Sequence, residues 1–183
     1  MTLTAIVTNI LSILTVLAEA IVILILKAKF FGKHKFSKKF MKLISKHALK
    51  IAFIAALIAM FGSLFYSEIA GYEPCKLCWY QRILMYPQVI ILGIALWKKD
   101  NSAKNYIIPL SFIGIVIAFY HYLLQLGFVS LSSCSAIAGA VSCEKRYALT
   151  FGYITIPMMA LSAFTLIFVM MLLTKQGKKS NKN

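Results

Sequence analysis

The chain has 183 residues, 61% of them hydrophobic, and carries 20 Lys plus Arg against 5 Asp plus Glu, a net charge of +15. Its mean hydropathy of +0.82 is too high for a water-soluble domain, in which about half of the residues are apolar. A soluble enzyme and a disordered chain are excluded. The basic residues cluster between long apolar runs, which points away from nucleic acid and towards a membrane protein with basic loops on one side.

A helix crosses a hydrocarbon core of about 30 Å with roughly 20 apolar residues. Five runs come to that length: 3–26, 48–66, 79–97, 106–128 and 148–173. They are continuous, whereas a closed barrel would show short alternating segments. The fold class expected is all-α and polytopic. Segment 27–50 carries nine Lys and no acid, segment 98–104 three Lys, and the tail from Lys175 four. If the spans alternate, these sixteen share one side. The other side receives only Lys76, Arg82, Lys145 and Arg146. The asymmetry puts the sixteen in the cytoplasm, with the N-terminus and segments 67–78 and 129–147 outside.

In the first run the positive charge follows the apolar stretch instead of preceding it, so it reads as a retained anchor and not a secretory signal. Glu19 lies within this run and has to face another helix or the interface, since a charge in a span is costly unless paired or protonated. Between the anchor and the next span, Phe36, Phe40, Leu43, Ile44 and His47 share one helical face. Lys38, Lys39, Lys42 and Lys46 fall largely elsewhere. That is the pattern of a basic amphipathic helix lying on anionic lipid, or of an ordinary topogenic loop. The organisation expected is residues 1–47 as an N-terminal transmembrane helix with its basic segment, 48–174 as a membrane core, and 175–183 as a basic tail.

All four cysteines fall in the two outside segments, Cys75 and Cys78 in one, Cys134 and Cys143 in the other. Two such pairs are compatible with structural disulfides, a four-ligand metal site or a redox relay. Cys75-Lys76-Leu77-Cys78 follows Pro74 and opens a span. Proline suits a helix start, and the partial positive charge of a helix N-terminus favours a thiolate. A lone C-x-x-C also fits zinc. Arg82 is four residues past Cys78 and seven past Cys75, which at about 100° per residue puts all three within roughly 60° of one face. Only two Arg occur beside eighteen Lys, and a guanidinium beneath two thiols can lower their pKa or donate to a carbonyl or anionic oxygen. An interfacial anchor is the plainer use of the same residue. Cys134 and Cys143 flank eight small or apolar residues, a loop that can close on itself as a staple. His121 lies seven residues inside its span, at a depth similar to Arg82, with Gln125 one turn later on the same face. A histidine there either packs satisfied inside the bundle or meets a ligand.

The stretch Pro74-Cys75-Lys76-Leu77-Cys78-Trp79-Tyr80-Gln81-Arg82 resembles the signature of the DsbB/BdbC disulfide-bond-formation family. His121 with Gln125 and a second cysteine pair in the following loop match as well, and the similarity covers roughly residues 45–173. The closely spaced second pair is like that of the shorter-loop, BdbC-like branch. The resemblance implies a four-helix transmembrane bundle, here preceded by one extra helix, in the cytoplasmic membrane. It implies a quinone-dependent oxidoreductase that reoxidises an extracytoplasmic thioredoxin-fold partner of the DsbA/BdbD kind. Electrons would pass from the partner to Cys134/Cys143, then to Cys75/Cys78, then to a membrane quinone, ubiquinone or menaquinone. By position Arg82 matches the quinone-contacting arginine and His121 a histidine near the quinone, with Gln125 beside it. Cys78, deeper and nearer Arg82, would face the quinone, and Cys75 would receive the second pair's attack. No resident metal is expected. A vitamin K epoxide reductase-like protein would carry its C-x-x-C in a late helix. A non-catalytic module using the four cysteines for zinc or loop staples is the alternative from another class.

Overall fold

The computed structural model describes residues 2–31, 35–129 and 142–174. Five helices follow one another: α1 (Leu3–Phe31), α2 (Lys35–Leu64), α3 (Lys76–Lys98), α4 (Lys104–Leu126) and α5 (Ile156–Leu173). The protein is an all-α membrane bundle. The stretches Leu3–Lys29, Met41–Ile69, Asn101–Leu126 and Ile156–Leu173 are each long and apolar enough to cross a bilayer. α3 is as long as α4 but interrupts its apolar run with Gln81, Arg82 and Gln88. Ile13, Ile54, Ile83, Ile90 and Val116, on four different helices, are all exposed. So much apolar surface suits lipid and not water.

Helices α2, α3, α4 and α5 form a closed ring, each packing on the next and α5 returning to α2. α1 stands outside the ring and packs chiefly on α5, with a smaller contact on α2. Lipid tails are as apolar as leucine, so helices in a membrane associate through close packing and buried polar contacts. Both are present. Ala48, Ala52 and Ala56, spaced every fourth residue on α2, are fully buried. Between α3 and α4, Ser111 Oγ donates to Gln88 Oε1 at 2.9 Å while Gln88 Nε2 donates to Leu84 O at 3.1 Å. These two buried polar side chains satisfy each other where no water is at hand. On α4, Gly114 leaves the space that the buried Phe164 ring of α5 fills.

Two boundaries differ from the sequence pattern. The apolar run from residue 148 is not helical until Ile156. Phe151 and Gly152 take left-handed φ of 53° and 78°, and Thr150 and Ile154 exchange both backbone bonds at 2.9 Å. Thr155 is then the extended N-cap, with Pro157 in the first turn, a place that suits proline. The basic segment after α1 is also continuous with the following span and starts α2. Met41 and Ile44 pack on the core, and Ser45 Oγ donates to Leu173 O at 2.7 Å. The side chains of Phe36 and Phe40 lie outside the described residues, as do the tail from Lys175 and Cys134.

At the far end of α2 the helix widens into a π turn over Phe65–Ile69. From there Tyr66, Tyr72 and Tyr147 stack, with ring centroids 5.7 and 4.6 Å apart. This ladder ties the segment after α2 to the segment before α5 at the end of the bundle that holds the described cysteines. Gly127, at φ 83°, ends α4 there. Its N–H bonds back to Leu124 O and that of Phe128 to Leu123 O, a left-handed cap that glycine adopts without strain.

A Cβ at Gly114 would fall 2.4 Å from Phe164 Cε1. Gly114→Ala is therefore expected to lower stability by about 1–3 kcal/mol through overpacking. Thermal unfolding in detergent measures this, and adding Phe164→Leu should restore part of the loss.

Candidate active site

Pro74 precedes Cys75, which is the N-cap of α3 with extended backbone, φ −72° and ψ 172°. Cys78 then falls in the first turn, and the two sulfurs are 3.3 Å apart, Cys75 donating to Cys78. Both lie ahead of Trp79, where the apolar run of α3 begins. The bond from Cys75 lowers the Cys78 thiol below its ordinary range, and Arg82 contributes to the lowering. The same bond, together with burial, pushes the Cys75 thiol up. One sulfur is thus disposed to be a thiolate and its neighbour to keep a proton.

His121, 1% exposed, comes from the last turns of α4. Gln81 Nε2 faces its Nδ1 at 3.0 Å, and the Cys143 carbonyl faces its Nε2 at 3.1 Å. An amide NH₂ can only donate and a carbonyl can only accept. Nδ1 is therefore the acceptor, and the ring proton sits on Nε2, pointing at Cys143 O. Cys75 Sγ lies 3.7 Å from the same Nε2. One imidazole touches the C-x-x-C pair and the backbone of the second pair. Cys143 is buried in one cluster with Cys75, Leu77 and Leu124.

Gln125, a turn beyond His121, holds the returning chain: its Nε2 donates to Lys145 O at 3.1 Å, and Arg146 donates to the Gln125 carbonyl. Arg82 projects from α3 below Cys78. Its Nη2 donates to Ser63 O at 3.0 Å, and its guanidinium lies 5.4 Å from the Trp79 ring centroid. The anchor on the Ser63 carbonyl fixes the cation against α2 and leaves its remaining donors for other partners.

These groups stand at one end of a cavity of about 410 Å³. Cys75, Cys78, Gln81, Arg82, His121 and Gln125 line that end. Most of the remaining lining is aliphatic, from α1, α2 and α5. Gln125 Oε1 is buried there without a hydrogen-bond partner.

A family model described as disulfide bond formation protein DsbB matches residues 45–174. The chain belongs to the DsbB family. Disulfide bond formation protein C of Bacillus subtilis (strain 168) is 49% identical over 134 residues, covering 72% of this chain and 94% of that protein. A probable disulfide formation protein of Oceanobacillus iheyensis is 45% identical over 145 residues, covering 76% of this chain and all of that protein. A prophage-derived disulfide bond formation protein B of B. subtilis is 43% identical over 134 residues, covering 73% of this chain and 89% of that protein. No solved structure gives a significant match. The DsbB match identifies a membrane oxidoreductase of disulfide-bond formation, and it leaves α1 outside the matched region.

Of the residues singled out from sequence, Cys75, Cys78, Arg82, His121, Gln125 and Cys143 converge on this cavity, and Cys134 lies outside the described residues. Gln81 joins them at the site, a residue that the motif spacing alone does not single out, although it is polar and three positions from Cys78 in an apolar run. That spacing was the available signal for a second buried partner on the cysteine face. Ser63, which anchors Arg82, gave no such signal.

The opposed shifts have a sign that can be read out. Thiolates alkylate, thiols do not, and an ordinary cysteine titrates near pH 8.5. In the reduced protein, alkylation on raising the pH from about 6 to about 9 should label Cys78 first and Cys75 late. Peptide mass mapping follows the order, and early labelling of Cys75 would contradict the arrangement of the pair.

Proposed function

We propose that the protein is a quinone-dependent thiol–disulfide oxidoreductase of the cytoplasmic membrane. It reoxidises an extracytoplasmic thioredoxin-fold dithiol protein through Cys134/Cys143 and then Cys75/Cys78. The observation that carries this reading is the His121 contact with both Cys75 Sγ and the Cys143 carbonyl, at the end of an apolar cavity that Arg82 also lines. Residues 48–174 form the redox unit, and the basic segments on the opposite side from the cysteines support an extracytoplasmic site.

The steps balance as successive thiol–disulfide exchanges. The partner's dithiol attacks the Cys134–Cys143 disulfide and leaves as its own disulfide, with the second pair reduced. A thiolate of that pair then attacks Cys75 Sγ in the Cys75–Cys78 disulfide. Cys78 departs as the thiolate, and its lowered pKa and the nearby Arg82 make it the better leaving group. The remaining thiol of the second pair resolves the mixed disulfide, and Cys75 leaves with a proton, which suits its raised pKa. That proton is the one the resolving thiol gives up, and His121 Nε2, 3.7 Å from Cys75 Sγ, can donate a hydrogen bond to the departing sulfur.

The cavity fits a quinone. It is within the roughly 300–1,000 Å³ usual for small-ligand sites, is apolar along most of its length, and presents at one end the Arg82 cation, a donor for a quinone oxygen, and the buried Gln125 Oε1, an acceptor for a hydroxyl of the reduced form. A quinone bound there supplies a two-electron, two-proton acceptor that returns Cys75 and Cys78 to the disulfide. Arg82 orients and stabilises charge on oxygen, and the aliphatic walls exclude water.

A second reading has one observation in its favour: Cys75, Cys78 and His121 offer ligand atoms within 4.8 Å of one another, the donor types that zinc takes. One experiment separates the two. The protein is reduced anaerobically and mixed with a soluble quinone, and free thiols are counted by alkylation mass shift. The redox reading expects quinone-dependent loss of all four thiols. Arg82→Ala should slow that loss by roughly 10²-fold, the scale for removing one preorganised donor to developing negative charge, while exchange among the four cysteines continues. Thiols that stay reduced, with one zinc per chain, would establish the metal module instead.

A further inference from the structure

α1 lies outside the region shared with the family, yet it lines the same cavity as the cysteines. From Cys78 and Arg82 the cavity extends along the seam where α5 returns to α2, as far as Ile21, Ile51 and Leu166. α1 closes it from the side with Leu11, Leu14, Ala18 and Ile21, one helical face running about 15 Å along the axis.

The contacts that hold α1 there are polar, which an anchor alone would not need. Tyr66 OH donates to Thr8 Oγ1 at 3.2 Å. Deeper in the span, Ser162 Oγ donates to Glu19 Oε1 at 2.8 Å and Tyr153 OH to Glu19 Oε2 at 2.9 Å, so both carboxyl oxygens are engaged by α5 and the turn before it. At Gly62 α1 approaches α2 closely enough that a Cβ would meet Leu11 Cδ1 at 3.1 Å. An apolar helix in lipid gains little by docking against another apolar surface, and a carboxylate within a span is expensive. The Glu19 clamp fixes which face of α1 turns to the seam.

We propose that α1 is a wall of the acceptor site, holding the prenyl tail of the quinone between itself and the α2–α5 seam, with Glu19 as the positioning residue that sets this wall. The inference rests on the quinone reading above. The polar end of the cavity is made of side chains buried inside the bundle, His121 and Gln81 among them. It therefore takes the ring of the tailed molecule and not the hydrated headgroup of a phospholipid. The wall acts by shape, since a tail leaving lipid for an apolar groove gains no hydrophobic free energy.

The test uses the full chain in detergent and compares menadione, which has no tail, with a menaquinone carrying a long prenyl tail. Binding is titrated directly, the quinone and lipid retained through purification are quantified by mass spectrometry, and KM is measured for each acceptor. Ala18→Phe, which fills the groove, should weaken binding of the tailed quinone and raise its KM by about tenfold, equivalent to roughly 1.4 kcal/mol. It should also empty the purified protein of retained quinone and change the values for menadione less than about twofold. Glu19→Ala should act in the same direction, and Glu19→Gln, which keeps an acceptor for Ser162, should restore the tailed quinone. Equal changes for both acceptors, or no change for either, would overturn the role of α1 while leaving the quinone reading intact. Retention of phospholipid instead of quinone, lost in Ala18→Phe, would assign the groove to lipid. Failure of the wild-type protein to bind or use either quinone would remove the acceptor reading and this inference with it.

Discussion

The site depends on one buried imidazole. His121 takes a bond from Gln81 of α3 and gives one to the Cys143 carbonyl, with Cys75 Sγ beside the same nitrogen. A buried ring nitrogen left without a partner costs on the order of 1–3 kcal/mol, so each contact is needed by the others. Gln81 sets the tautomer, the tautomer selects the Cys143 carbonyl, and that bond brings the second cysteine pair's segment down onto the first. The Tyr72–Tyr147 stack and the Gln125 tie bring the returning chain to this end of the bundle, and the histidine fixes it against Cys75.

The membrane shapes the rest. In a medium without water polar groups must find their partners within the protein, and apart from the buried Gln125 Oε1 and Thr155 Oγ1 the described buried side chains do so, largely through short local arrangements. The hydroxyls of Ser12 and Thr15 bond back to their own helix at 2.8 Å, Gln88 and Ser111 satisfy each other, and Arg82 is anchored on a carbonyl. Arg82 can therefore lie under Cys78 at a modest cost in desolvation, because its charge is shared with Ser63 O and the Trp79 face. Burial and pairing give the two sulfurs opposite characters although they stand three residues apart.

Much of this was legible in the sequence, and the parts that were not have physical reasons. The five helices follow from apolar run length, because in lipid that length is itself the constraint. The convergence of Cys75, Cys78 and Arg82 follows from helical spacing, and the depth of His121 from its distance to the end of its run. The late start of α5 was hidden because the chain turns at Phe151, a residue whose side chain suggests no left-handed backbone, so apolar content alone carried the run back to residue 148. The Tyr66–Tyr72–Tyr147 ladder joins two segments far apart in sequence and has no period to betray it. Gln81 and Ser63 owe their roles to partners on other helices. The continuation of α2 through Lys46 was equally hidden, since a lysine-rich helix face reads alike whether it lies on lipid or packs along one edge.

The tie between Gln125 and the returning chain has a consequence for rates. Lys145 and Arg146 bond to the same residue of α4, two positions before the Gly127 cap from which the chain departs. Gly127 and Lys145 are thus held close to one point on α4, and Cys143 is only two residues from Lys145. For short tethers the effective concentration of one group near another reaches the millimolar range. Any exchange between Cys143 and Cys75 is then unimolecular. Its rate would be independent of how dilute the protein is in the bilayer, whereas the encounter with a soluble dithiol would scale with that partner's abundance.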